Sequence, residues 1–266
     1  MLVTGRATVR SAELSFERGG TGTSLLWGHG LTSSMQLDSE FAPIDWIRVR
    51  SRADVVRYDA RGHGDSTTTE ELLGYGWDEL ALDQLALAES LGIDRYVAAG
   101  RSMGTSTALH AAVTAPERII GLVLVIPPTG WETRAAQRDL YLRRADLIES
   151  GDLDSVIAAA RSVPAPDPFG AEWHDRFERN LRSADLSRRA HILRGAATAD
   201  MPPPDAIANI AVPTTILAWS GDPGHPVSSA ERLAELIDGA RLVVARSRDD
   251  LDVWTDEIMM LLEQVN

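Results

Sequence analysis

The chain of 266 residues is long enough to form one large α/β domain with an insertion and to bury an ample core. Acidic side chains number 39 against 26 basic ones, and the resulting net charge of −13 would repel nucleic acids and anionic membranes. The absence of cysteine excludes disulfides, thiolate metal sites and a cysteine nucleophile.

Short apolar runs alternate with helical patterns in the first half of the chain. The helical pattern at 78–91 has apolar residues at helical spacing. Near-continuous apolar strands separated by helices are typical of a parallel sheet that is covered on both faces. The runs that we predict to be strands are 12–16, 24–27, 53–58, 96–99 and 119–126.

The pattern changes between about residues 131 and 209, where strand signals vanish and charged, helical stretches replace them. Strand and helix patterns then alternate again, at 214–219, 228–237, 241–245 and 251–264. We therefore predict a core domain made of residues 1–130 and 210–266, with a helical cap at 131–209. Such a cap would cover the strand ends, where open α/β sheets bind ligands.

A G-x-S-x-G element, Gly100-Arg101-Ser102-Met103-Gly104, follows one of the predicted strands and precedes a small-residue helix at 103–113. The glycines allow a sharp turn in which larger side chains would collide with the neighbouring strand or helix. The turn presents the Ser102 hydroxyl at a helix N-terminus, where developing negative charge is favoured. The pattern predicts a nucleophilic serine.

Four landmarks occur in a fixed order: His29-Gly30 after a strand, Asp59–Ser66, the element around Ser102, and Gly221-Asp222-Pro223 after a strand. With these landmarks the chain resembles the α/β-hydrolase superfamily over roughly residues 12–265. Its layout is most similar to small bacterial enol-lactonases, carbon–carbon bond hydrolases, esterases and cofactor-free haloperoxidases. The resemblance implies a mostly parallel eight-stranded sheet with helices on both faces and a helical cap between strands 6 and 7.

The resemblance also implies roles for individual residues. Ser102 would attack the substrate, and Asp222 would be the acid that orients the catalytic base. The backbone N–H groups of Met103 and Leu31 would form the oxyanion hole.

The base departs from the family pattern. Family members carry a histidine in the loop after the eighth strand, but residues 246–252 contain none, and Asp250 stands near its place. A carboxylate is too weak a base for this task, so we interpret Asp250 as a loop residue or a helix N-cap. His225 follows Asp222 by three residues, which limits their Cα separation to about 10 Å. We hypothesise that His225 is the base, oriented by Asp222 or Glu132; the alternative is a turn histidine that lines the pocket.

Residues near the predicted strand ends favour an apolar pocket, and we expect His29, Met35, Pro127 and Trp131 to bind the substrate. Several arginines of the cap could receive an anionic substrate. We interpret them instead as a solvated helix face: Arg134, Arg138, Arg143 and Arg144.

These observations predict a serine hydrolase that acts on a small, largely apolar ester, lactone or related carbonyl compound. No metal or organic cofactor is implied, because there are no clustered histidines and no dinucleotide-binding loop. The N-terminus lacks a signal-peptide pattern and no apolar run could span a membrane, so we expect a cytoplasmic protein. A homo-oligomer is compatible with the sequence.

Two other classes of function stay open. Without the usual histidine, the chain could be a non-catalytic homologue that binds a ligand or a protein partner. It could also catalyse a lyase or oxygenase reaction on the same scaffold.

Overall fold

A central eight-stranded sheet organises the computed structural model, which describes residues 1–41, 44–69, 71–170 and 172–265. The strands are β1 (Val3–Val9), β2 (Ala12–Gly20), β3 (Thr23–Gly28), β4 (Ala53–Tyr58), β5 (Tyr96–Arg101), β6 (Ile119–Val125), β7 (Thr214–Trp219) and β8 (Arg241–Ala245). Their order across the sheet is β1-β2-β4-β3-β5-β6-β7-β8. β2 runs antiparallel to β1 and β4, and every other neighbouring pair is parallel.

Helices cover both faces of the sheet, as near-continuous apolar strands require. All six residues of β5 and of β7 are buried. On one face, α3 (Trp77–Ser90), α4 (Met103–Thr114) and α10 (Val227–Leu236) contribute to one apolar cluster. On the other, α2 (Trp46–Arg50) and α11 (Trp254–Gln264) contribute to a second cluster. The predicted fold class is confirmed.

Of the described helices that lie between β6 and β7, at the position predicted for the cap, four have nine residues or more. They are α5 (Arg134–Glu149), α6 (Leu153–Arg161), α7 (Glu172–Ser183) and α8 (Leu186–Ala196), and we call them the cap helices. Their apolar side chains form a third cluster of their own, which includes Tyr141, Ile148 and Leu193. Two short helices complete the described elements: α1 (Met35–Phe41) and α9 (Pro204–Ile207). The exact domain limits at 131 and 209 remain a prediction.

Among the described strands, the first is the one whose position the sequence did not indicate. β1 pairs with β2 in register from Val3 with Arg18 to Val9 with Ala12. It lies at the sheet edge and most of its residues are exposed or half-buried, so it lacks a strong apolar alternation. The predicted helix at 251–264 also starts later, at Trp254, after a short 3-10 turn. Within the described ranges, every helix falls short of the length or the apolar character that spanning a bilayer needs.

Candidate active site

Ser102 occupies a strained turn between β5 and α4. Its φ of 54° and ψ of −111° place a non-glycine residue at positive φ, a conformation that costs on the order of 1–3 kcal/mol. The surrounding structure maintains this turn by close packing. An ideal Cβ built on Gly104 would lie 2.1 Å from the carbonyl oxygen of Gly28, so the helix can approach β3 this closely only with glycine there.

We expect Gly104→Ala to lower the free energy of unfolding by about 3 kcal/mol or more, at the upper end of overpacking effects. The clash is with backbone atoms of β3, which cannot rotate away. Gly74→Ala is the control, because its new methyl group would meet a side-chain methyl of Thr69 at 3.1 Å. Urea denaturation of both variants checks this, and equal midpoints would contradict it.

Ser102, His225 and Asp222 form a continuous chain of hydrogen bonds. The Ser102 Oγ lies 2.7 Å from His225 Nε2, and His225 Nδ1 lies 2.8 Å from Asp222 Oδ2. An ionised carboxylate can only accept, so His225 Nδ1 carries the proton. That tautomer leaves Nε2 free to accept from the Ser102 hydroxyl. The structure thus brings together the three residues predicted as catalytic.

The Asp222 carboxylate accepts hydrogen bonds from three groups. The Trp219 indole donates to Oδ2 at 3.0 Å, the Gly224 backbone N–H donates to Oδ1 at 2.9 Å, and His225 donates to Oδ2. Burial by itself raises the pKa of Asp222, yet the charge and hydrogen bond of His225, with those from Trp219 and Gly224, outweigh it and hold that pKa at about 2. Asp222 is therefore ionised at neutral pH and can stabilise an imidazolium.

A single loop after β7 carries both Asp222 and His225. It begins at Gly221, whose φ of 79° is in the region that favours glycine. The backbone N–H of His225 then donates to the Asp222 carbonyl at 3.1 Å, closing a turn. This turn directs both side chains to the same side, toward Ser102. Glu132, the alternative orienting group, does not take part in the described contacts of His225.

Asp250 closes the turn that follows β8. Its carboxylate accepts from the backbone N–H groups of Arg246 at 2.8 Å and Ser247 at 2.9 Å. These hydrogen bonds lower the pKa of Asp250. Because α11 begins only at Trp254, Asp250 is not the N-cap of that helix; it lies within the short 3-10 turn Asp249–Leu251.

The segment expected to supply the oxyanion hole lies beside Ser102. Met103 is the first residue of α4, and Leu31 borders a cavity together with Gly30 and Ser102. The His29 side chain connects this segment with the loop after β4. Its Nδ1 donates to the Gly30 carbonyl at 2.8 Å, and its Nε2 accepts from the backbone N–H of Ala60 at 3.0 Å. Burial lowers the pKa of His29, which fits the neutral ring that these two bonds require.

A cavity of about 190 Å³ opens next to Ser102 and His225. That volume is below the roughly 300–1,000 Å³ of sites for drug-sized ligands, which indicates a small substrate. Its other described lining residues are Gly30, Leu31, Thr32, Ser33, Arg101, Gln137, Tyr141, Arg144, Trp173, Phe177, Asn180, Arg189 and Leu193. The cavity therefore carries more charge than the apolar pocket predicted from the sequence.

The four residues expected to bind substrate are not among those that line this cavity. His29 is fully buried, and Met35 borders a separate surface depression. Pro127 is buried in the loop after β6, and the Trp131 indole donates to the Pro202 carbonyl at 2.9 Å. The interpretation of the cap arginines as a solvated helix face holds for Arg138 and Arg143, which are exposed, but is wrong for Arg134, which is buried, and for Arg144, which lines the cavity. Helical spacing alone does not show which charged side chains face inward, so the sequence did not indicate Arg189.

Comparisons with known proteins agree with this fold. The family model described as alpha/beta hydrolase family matches residues 19–254. The chain is 27% identical over 192 residues to 3-oxoadipate enol-lactonase 1 of Acinetobacter baylyi, covering 71% of this chain and 69% of that protein. It is 26% identical over 216 residues to rhodomycin D methylesterase DauP of a Streptomyces species, covering 71% and 72%.

Among solved structures, the crystal structure of the enol-lactonase from Burkholderia xenovorans LB400 superposes with a TM-score of 0.80 at 22% identity. The match covers 97% of this chain and 100% of that one, and it shows a shared fold. Since the family model spans most of the sequence, and the sheet, the cap helices and the Ser102 turn all agree with it, the chain belongs to the α/β-hydrolase family.

Proposed function

We propose that this protein is a serine hydrolase that cleaves a small ester or lactone, with Ser102 as nucleophile and His225 as base. The observation that supports it is the 2.7 Å contact between Ser102 Oγ and His225 Nε2, with Asp222 hydrogen-bonded behind the imidazole. The names of the relatives, an enol-lactonase and a methylesterase, point to the same bond types.

In the first half of the reaction, Ser102 Oγ attacks the substrate carbonyl carbon while His225 Nε2 takes the hydroxyl proton. The carbonyl oxygen becomes an oxyanion, which the N–H groups of Met103 and Leu31 stabilise. The tetrahedral intermediate collapses, the carbon–oxygen bond to the leaving alkoxide breaks, and His225 returns its proton to that alkoxide. An acyl-enzyme on Ser102 remains.

In the second half, His225 takes a proton from water, and the resulting hydroxide adds to the acyl carbon. The bond to Ser102 Oγ then breaks, and the proton on His225 restores the serine hydroxyl. The ionised Asp222 keeps Nδ1 protonated and stabilises the imidazolium in both halves.

We expect a fluorophosphonate probe to label the purified protein at Ser102, because the base makes this hydroxyl nucleophilic at neutral pH. Mass spectrometry of the digested adduct locates the label, and Ser102→Ala should abolish it. Ser106→Ala is the matched control: Ser106 is buried on the same helix, and no hydrogen-bond partner of its hydroxyl is found in the part of the chain that the structure describes.

Two outcomes would overturn this proposal. An unlabelled wild-type protein would favour a non-catalytic binding role, and labelling that survives in Ser102→Ala would place the reactive group elsewhere.

A further inference from the structure

Two arginines in the wall of the cavity lack a carboxylate partner among the described residues. Arg144 comes from α5 and Arg189 from α8. Arg189 Nη2 donates to neutral acceptors, the Thr32 carbonyl at 3.0 Å and Asn180 Oδ1 at 2.6 Å. Arg144 Nε is buried without a hydrogen-bond partner in the described chain, and the guanidinium lies 5.6 Å from the centre of the Phe177 ring.

Among the other buried arginines that the structure describes, only Arg134 lacks a carboxylate partner; it donates to two backbone carbonyls and lies 4.1 Å from the centre of the Trp77 ring. Arg61 pairs with Asp83 at 2.8 Å. Arg101, which also borders the cavity, pairs with Asp38 at 2.6 Å. Three further arginines of the cap helices have carboxylate partners as well: Arg161, Arg182 and Arg194. Arg134 does not line the cavity, whereas Arg144 and Arg189 border a space that a ligand can enter, in a chain with an excess of acidic side chains.

The electrostatics of this pair favour an anionic ligand. Burial, together with the smaller effect of the positive charge of Arg144, lowers the pKa of Arg189 to about 10, so the two cations lie close enough to repel each other. Both remain protonated at neutral pH. Buried cations are costly unless an anion neutralises them, and the described lining residues include no Asp or Glu.

We infer that the substrate carries a carboxylate group away from its reacting carbonyl, and that Arg144 and Arg189 bind this group. The inference rests on the proposed function and narrows its substrate class. The planar guanidinium matches a carboxylate, to which it donates two parallel hydrogen bonds. With a cavity of about 190 Å³, a half-ester or lactone of a short dicarboxylic acid is the class that fits.

The test compares ethyl butyrate with monoethyl succinate, in which a carboxylate replaces the terminal methyl group of the acyl chain. For the wild type we expect kcat/KM, measured by ethanol release, to be about 10- to 100-fold higher for monoethyl succinate, the range for hydrogen bonds to charged groups. Arg144→Gln should bring this ratio close to one. Arg143→Gln, on an exposed neighbour in the same helix, should keep the ratio.

A second measurement is independent of turnover. Succinate should slow fluorophosphonate labelling of the wild type at Ser102 and leave the labelling rate of Arg144→Gln unchanged. If the wild type is labelled but shows no preference for monoethyl succinate or no protection by succinate, the carboxylate inference alone is overturned. The same holds if Arg144→Gln keeps both the preference and the protection. A wild type that the probe does not label would overturn the proposed function and this inference with it.

Discussion

We expect His225→Ala to lower the kcat of ester hydrolysis by about 10⁴- to 10⁶-fold, the range seen when the histidine of a serine triad is removed. The variant deletes the imidazole that lies 2.7 Å from Ser102 Oγ, so the attacking hydroxyl keeps its proton. Binding and the oxyanion donors remain, and they account for the residual rate. Steady-state kinetics on a short-chain ester measure the effect.

Asp250→Asn is the matched control for this prediction. It removes the carboxylate from the position where the family normally has its base, yet retains an oxygen that accepts from Arg246 and Ser247. We expect its kcat to stay within about threefold of the wild type, since Asp250 holds a turn and an exposed carboxylate is too weak a base. The opposite ranking of the two variants would show that the loop after β8 still supplies the proton acceptor.

Much of the fold followed from local patterns. The turn at Ser102 needs glycine where α4 approaches β3, and that requirement leaves a readable signature in the sequence. The buried parallel strands also leave a recognisable sequence pattern, because their residues must be apolar on both faces. β1 left no such signature, since an exposed edge strand is defined by its pairing with β2 and not by burial.

The site was only partly predictable, because it depends on contacts between distant segments. The spacing of Asp222 and His225 allowed them to meet, but the positive φ of Gly221 and the turn after it decide where the imidazole points. Arg143 and Arg144 of the cap helices are a second case in which the sequence does not predict where a side chain points. They are adjacent and chemically identical, yet one is exposed and the other lines the cavity, according to how α5 packs on α8.

Asp222→Asn should lower kcat by about 10³- to 10⁴-fold while leaving Ser102 and His225 in place. The amide can donate to His225 Nδ1, which would favour the tautomer with a proton on Nε2. That proton would then face Ser102 Oγ and prevent the imidazole from accepting the hydroxyl proton. The amide would also remove the negative charge that stabilises the imidazolium. Measurement of kcat at a fixed pH near 8 checks the prediction.

Trp219→Phe is the comparison for Asp222→Asn, because it keeps the negative charge of Asp222 and removes one hydrogen bond that positions its carboxylate. This variant keeps an aromatic ring against Phe169 and Trp254 but loses the indole N–H, which donates to Asp222 Oδ2 at 3.0 Å. Loss of one such hydrogen bond should reduce kcat by roughly tenfold or less. If Asp222→Asn has no larger effect than Trp219→Phe, the carboxylate serves the turn and another group sets the tautomer of His225. A difference of two or more orders of magnitude would mean that Asp222 acts through its charge and its acceptor oxygen.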